Sequence, residues 1–195
     1  MSALAPASVP TVVTYLEMTT PPAKPPIRPP LAGIEIRVAR RPTVSFYRYL
    51  YRTIGDDWAW VVRRSLSDEE LLQVIGDPAV EVNVLWVEGV PAGYAELDRR
   101  QAPDTELAYF GLLPEFIGRG LGRYLLDWTV RHAWRARPRR LWVHTCDFDH
   151  PRAIAVYRKS GFRVYDQRVE QLELPDGMRP PERPRSGLES PCVSS

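Results

Sequence analysis

The chain has 195 residues, 44% of them hydrophobic and 26% charged, with a formal net charge of +2 from 26 basic and 24 acidic side chains. That length suits one domain burying its own core without disulfides or a structural metal. The composition excludes wholesale disorder, and the arginines gather into no single stripe, so nucleic acid is not an expected partner.

Residues 1–10 are small and Pro-containing and are read as a disordered N-terminus. The segment 11–33 follows: Val12 to Met18 is strand-like, but Pro21, Pro22, Pro25, Pro26, Pro29 and Pro30 then form a stiff, extended spacer. The strand-like piece is free to join this sheet or a partner's, and a homodimer is left open. From Ile34 to Leu174 the pattern is that of a folded domain. Ile34 to Val38 alternates as a strand, and Ser45 to Thr53, dense in Tyr and Leu, reads as a helix. Ser67-Asp68-Glu69-Glu70 is a capping box opening a short helix to Ile75, ended near Gly76 and Pro78. Val80 to Val87, Pro91 to Asp98 and Glu106 to Leu112 read as consecutive antiparallel strands. Leu121 to Ala136 is an amphipathic helix stopped by Pro138. Leu141 to Thr145 is a strand, Pro151 to Ser160 a helix closed by Gly161, and Val164 to Leu174 a last strand. The rest, 175–195, mixes Pro, Arg, Gly and Ser and is read as a disordered tail. The fold class is α/β, one domain with a mixed, mostly antiparallel sheet of six to seven strands flanked by about four helices.

Gly118, Gly120 and Gly122 fall between the strand ending at Leu112 and the long helix starting at Leu121. Glycine lets a backbone take positive φ and approach a ligand, and the first amides of a helix lack intrahelical acceptors and carry partial positive charge. The turn therefore suits a diphosphate, with Arg119 and Arg123 adding charge at the rim. It is not a P-loop, since no Gly-Lys-Ser/Thr ends it, and its spacing is not that of a dinucleotide fingerprint.

The run Leu112 to Leu126 resembles the acetyl-CoA loop of the GNAT acetyltransferases, Gln/Arg-x-x-Gly-x-Gly/Ala after a hydrophobic strand and a proline, with Ile117 at the Gln/Arg position. Ala153 to Phe162, containing Tyr157-Arg158-Lys159-Ser160-Gly161-Phe162, is similar to the helix that closes the coenzyme site in that superfamily. The resemblance implies a GNAT fold and transfer of an acetyl group from acetyl-CoA, a co-substrate, to a primary amine of a small molecule or protein, without a metal. It assigns coenzyme contact to Leu112, Leu113, Gly118, Arg119, Gly120, Leu121, Gly122 and Arg123. His150 is expected to take the polar contact of an asparagine often found before the closing helix. The alternative is a non-catalytic module on the same fold that senses acyl-CoA.

Attack by an amine on a thioester needs the amine deprotonated and the leaving thiolate protonated. Glu106 is the candidate base, because some members keep a glutamate at this offset and strand alternation puts it on the face of Ala108, Phe110 and Leu112; Glu96 is the reserve. By resemblance, Tyr157 is the proton donor to the thiolate. Tyr47, Tyr49, Tyr51, Trp58 and Trp60 are read as core packing or as an acceptor groove. Cys146, His144 and His150 match no zinc spacing, and Cys146 and Cys192 are expected as free thiols of a reducing compartment. No apolar run reaches the roughly 18 residues of a membrane span, and Met1 to Pro10 lacks a signal-peptide pattern, so no membrane contact and a cytoplasmic location are expected.

Overall fold

The computed structural model describes residues 8–58 and 60–175. In chain order its strands are β1 (Ser8–Met18), β2 (Ile34–Ala39), β3 (Val80–Val87), β4 (Val90–Asp98), β5 (Thr105–Leu112), β6 (Leu141–Cys146) and β7 (Arg163–Glu173). Its helices are α1 (Val44–Gly55), α2 (Asp68–Ile75), α3 (Leu121–Trp134) and α4 (Ala153–Lys159). The strands form one sheet in the order β2-β3-β4-β5-β6-β1-β7. Every neighbouring pair is antiparallel except β5 and β6, which run parallel.

Local chemistry starts and ends these elements. Thr43 caps α1 through a bond from the Phe46 amide at 3.3 Å. The capping box of α2 forms in full: the Glu70 amide donates to Ser67 Oγ at 3.2 Å, and the Ser67 amide donates to Glu70 Oε2 at 2.8 Å. β3 and β4 join through Glu88 and Gly89 with φ of 49° and 83°, the left-handed pair that a tight two-residue hairpin needs.

Two apolar clusters cover the two faces of the sheet. Leu16, Leu85, Leu97, Leu107, Leu141 and Val143 pack with Leu121, Leu125, Leu126 and Val130 of α3 and Tyr157 of α4. On the other face, Tyr47, Leu50, Tyr51 and Ile54 of α1 and Leu71 and Ile75 of α2 pack on Val82, Val84 and Tyr94. α1 approaches closely because Gly111 has no side chain: a Cβ there would lie 2.3 Å from Ile54 Cγ2.

The strand-like N-terminal segment enters this chain's own sheet, between β6 and β7. Leu16 and Met18 are buried there. Ser8, Val9 and Pro10, expected outside the fold, begin β1 opposite Glu173, Leu172 and Gln171 of β7. Pairing with β6 starts only at Val13, so Pro10's missing amide hydrogen costs no bond to β6. The Pro-rich spacer then crosses α3. The Ile27 amide donates to Asp127 Oδ2 at 3.0 Å, and Arg131 Nη2 donates to the Lys24 carbonyl at 2.5 Å. Apart from Pro175, the tail expected over 175–195, Cys192 included, lies outside the described residues. Among the described residues no helix is long and apolar enough to cross a membrane.

Candidate active site

β5 and β6 pair at two positions only, Thr105 with Leu141 and Glu106 with Trp142. Beyond them β5 follows β4 as far as Leu112 while β6 follows β1 as far as Cys146. The facing edges of β5 and β6 therefore part into a fork. The Leu113 amide donates to the Ala92 carbonyl at 2.9 Å. Because peptide directions alternate along a strand, the amides and carbonyls of Phe110 and Leu112 are turned the other way, into the fork. Leu113 is different: its amide is spent on β4 and its side chain is buried.

The glycine turn lies against the open end of β5. A Cβ added to Gly122 would touch Leu112 Cδ1 at 3.5 Å. Gly118 and Gly120 take φ of 85° and 78°, a conformation that side chains resist. Gly120 is the residue before α3 and has no side chain to cap it. The Tyr124 amide reaches back to the Gly120 carbonyl at 3.3 Å. The amides of Leu121, Gly122 and Arg123 precede it in the first turn, where a helix offers them no acceptor. A Cβ on Gly118 would meet nothing within 4 Å, so that side of the turn is open, whereas on Gly120 it would meet Pro30 Cβ at 3.4 Å. The Arg119 guanidinium sits 5.3 Å from the Phe116 ring centroid, and Ile117 is 54% exposed.

The other prong ends in a loop tied by Asp149, whose Oδ2 accepts from Thr145 Oγ1 at 2.7 Å and from the Cys146 amide at 3.0 Å. His150 Nδ1 accepts from the Arg152 amide at 3.1 Å, and its ring lies 5.2 Å from that of Trp58, so the segments after α1 and after β6 meet there. Tyr157 is buried, with its ring 6.3 Å from Phe110 and 5.9 Å from Phe162. Burial, and then the Asp149 carboxylate, push its phenol well above the ordinary range, so it holds its proton at neutral pH. The same two causes push the Cys146 thiol up to about 12, which keeps it out of nucleophilic chemistry near neutrality.

Glu106 lies at the base of the fork, but not on the expected face. The register between β4 and β5 sets Leu97 opposite Leu107 and Glu96 opposite Tyr109, skipping Ala108. This bulge reverses the alternation. Phe110 and Leu112 pack into the α3 cluster together with Leu107, so Glu106 faces the opposite side, the side of α1 and α2. There Glu106 Oε1 lies 3.1 Å from His144 Nδ1, and a cleft of about 330 Å³ opens beside it, lined by Asp98, Arg100, Gln101, Asp104, Glu106 and Trp142. His144 is a functional candidate that strand-by-strand reading missed. Only the parallel register of β5 on β6 brings the two residues together, and no local pattern encodes it.

Glu96, the reserve base, is fully buried. Its Oε2 accepts from the Tyr47 hydroxyl at 2.5 Å and its Oε1 from Arg63 Nη2 at 2.7 Å. Burial pushes its carboxyl up while the guanidinium pulls it down. With both oxygens engaged and no exposed surface, Glu96 has no route to a substrate proton. Among the aromatics, Tyr47 and Tyr51 are core, and Trp60 packs 5.3 Å from Tyr51 and 5.1 Å from Tyr109. Tyr49 is 44% exposed. Trp58 packs against His150. Among the described residues, no three His, Cys, Asp or Glu side chains group to hold a metal ion.

The model of the acetyltransferase (GNAT) family matches residues 45–162, which contain the fork, the glycine turn and α4. Sequence comparison with curated proteins gives no match. Among solved structures, the GCN5-related N-acetyltransferase from Sphaerobacter thermophilus aligns with a TM-score of 0.61 at 18% identity, over 85% of this chain and 53% of that one. The GCN5-related N-acetyltransferase from Kribbella flavida gives 0.56 at 19%, over 87% and 61%. The ribosomal-protein-S18-alanine N-acetyltransferase from Escherichia coli gives 0.51 at 16%, over 66% and 78%. The chain thus spans just over half the length of the Sphaerobacter structure and three-fifths of the Kribbella one, and at these identities the likeness establishes the fold. With 118 consecutive residues under the family model, the chain belongs to the GNAT acetyltransferase family.

Proposed function

We propose that the chain moves an acetyl group from acetyl-CoA to a primary amine of a small molecule or protein, by direct attack of the amine on the thioester. The observation that carries this reading is the fork. β5 presents the peptide groups of Phe110 and Leu112 along an edge that no strand among the described residues fills, which is what an extended amide-bearing arm such as pantetheine can pair with. At the fork's mouth the opening amides of α3, at Leu121, Gly122 and Arg123, face outward beside the open flank of Gly118, as a diphosphate requires. Arg119 and Arg123 add positive charge, and His150, in the loop before α4, is assigned a polar contact to the coenzyme. Ile117 offers no hydrogen bond where the family pattern has Gln or Arg, so the backbone does most of the holding.

The thioester supplies an activated acyl carbon; transfer forms a C–N bond and breaks a C–S bond. Tyr157, protonated at neutral pH and reached from β5 through Phe110, donates a proton to the departing sulfur. The pair of Glu106 and His144 supplies the basic centre at the base of the fork. An amine acceptor also agrees with the name of the Escherichia coli structural relative, an alanine N-acetyltransferase. The test is free-thiol release from acetyl-CoA against a panel of primary amines. Release that rises with amine concentration, with an acetylated product, is expected. Saturable coenzyme binding without release on any amine would replace the reading with the acyl-CoA-sensing module.

A further inference from the structure

Resting on that reading, we propose that His144 receives the acceptor's proton, through Nε2, and that Glu106 is the positioning residue that holds its ring. The two side chains come from different strands. Glu106 belongs to the last pair before β5 and β6 part, and His144 stands two residues past Trp142, just inside the fork. Its Nδ1 lies 3.1 Å from Glu106 Oε1. An imidazole whose Nδ1–H donates to a carboxylate carries its lone pair on Nε2, the arrangement a proton acceptor needs. Among the described residues, no hydrogen-bond partner is present at Nε2. The side chain of His144 is 46% exposed while that of Glu106 is 19% exposed, so an incoming acceptor meets the imidazole first.

The ring is held as well as paired. Tyr15 of β1 stands opposite His144 in register, and the Tyr15 and Trp142 rings each lie 6.0 Å from it. The charged groups that bear on the ring are Glu106 from β5, Asp149 from the loop after β6 and Glu170 from β7, all anionic. Burial by itself favours the neutral ring. The Glu106 hydrogen bond and charge, with Asp149 and Glu170 behind them, outweigh it and lift His144 above its ordinary value of 6.5. That makes His144 a stronger base than a free imidazole.

The step balances. The amine nitrogen bonds to the thioester carbon, one of its protons passes to His144 Nε2, the C–S bond breaks, and the sulfur leaves with a proton from Tyr157. The proton on the imidazolium then replaces the one Tyr157 gave up, by way of solvent. Net, one amine and one thioester become one amide and one thiol.

The test measures kcat/KM for acetyl transfer against pH, in wild type, His144→Gln and Glu106→Gln, beside an NMR titration of the His144 ring. An alkylammonium acceptor itself titrates near about 10, and the ring titration tells the histidine limb from it. Wild type should lose activity as pH falls through an inflection above 6.5 that coincides with the ring titration. His144→Gln should remove that inflection and lower kcat/KM by at least about 100-fold, with coenzyme binding retained. Glu106→Gln removes the charge that raises the pKa, so the inflection and the ring titration should both move to lower pH, which a purely structural glutamate would not cause. Turnover and inflection unchanged in His144→Gln overturn the proposal alone. No transfer by wild type to any amine overturns the reading it rests on, and the proposal with it.

Discussion

Glu96 and Glu106 stand on neighbouring strands and the same face of one sheet, and their surroundings make them opposites. Glu96 is sealed under α1, with Arg63 and Tyr47 on its two oxygens. Glu106 sits where two strands part, against a half-exposed histidine. An arginine partner never gives up its proton in water, so Arg63 is fixed charge and the first pair can only organise structure. A histidine partner can, so the second pair can pass protons. A carboxylate's identity says little until the partner and the access to solvent are known.

The largest effect expected from this contrast is on stability. Glu96→Ala leaves Arg63 buried without its counter-charge and should cost about 3–5 kcal/mol in chemical denaturation, as loss of one partner of a buried pair does. Glu106→Ala should cost under about 1 kcal/mol, as for pairs that reach solvent, while depressing turnover. Equal destabilisation by the two would erase the distinction. A smaller effect sharpens the chemical side: Tyr157→Phe keeps the ring packed on Phe110 and Phe162 and removes only the hydroxyl. Turnover should fall at least about tenfold, roughly 1.4 kcal/mol, with coenzyme affinity nearly intact. Unchanged turnover would remove Tyr157 from the mechanism.

Most of the fold was legible because its signals are local. The Ser67 to Glu70 box, the Glu88-Gly89 hairpin and the apolar periodicity of α3 each lie within one element, and each is found where the sequence puts it. The destination of β1 was not legible. Its slot between β6 and β7 depends on partners about 130 and 155 residues away, across a proline spacer that carries no information about where the strand lands. The glycine turn could be read, because positive φ needs glycine. The face of Glu106 could not: alternation is a reliable guide only along an unbroken ladder, and the bulge at Ala108 has neither a glycine nor a proline to announce it. His144 was overlooked for a related reason. Near Cys146 and His150 in sequence it is weighed as a metal ligand, whereas its partner arrives from β5.

The central claim is that the fork and the opening of α3 together form the coenzyme site. An amide-resolved NMR titration with free CoA tests it most directly. Shifts should saturate at one equivalent and be largest at Phe110, Leu112 and Gly120 through Arg123, with little change at Glu96 and Tyr47. No saturable shift at millimolar CoA, or shifts centred on α1 and α2 instead of the fork, would contradict it.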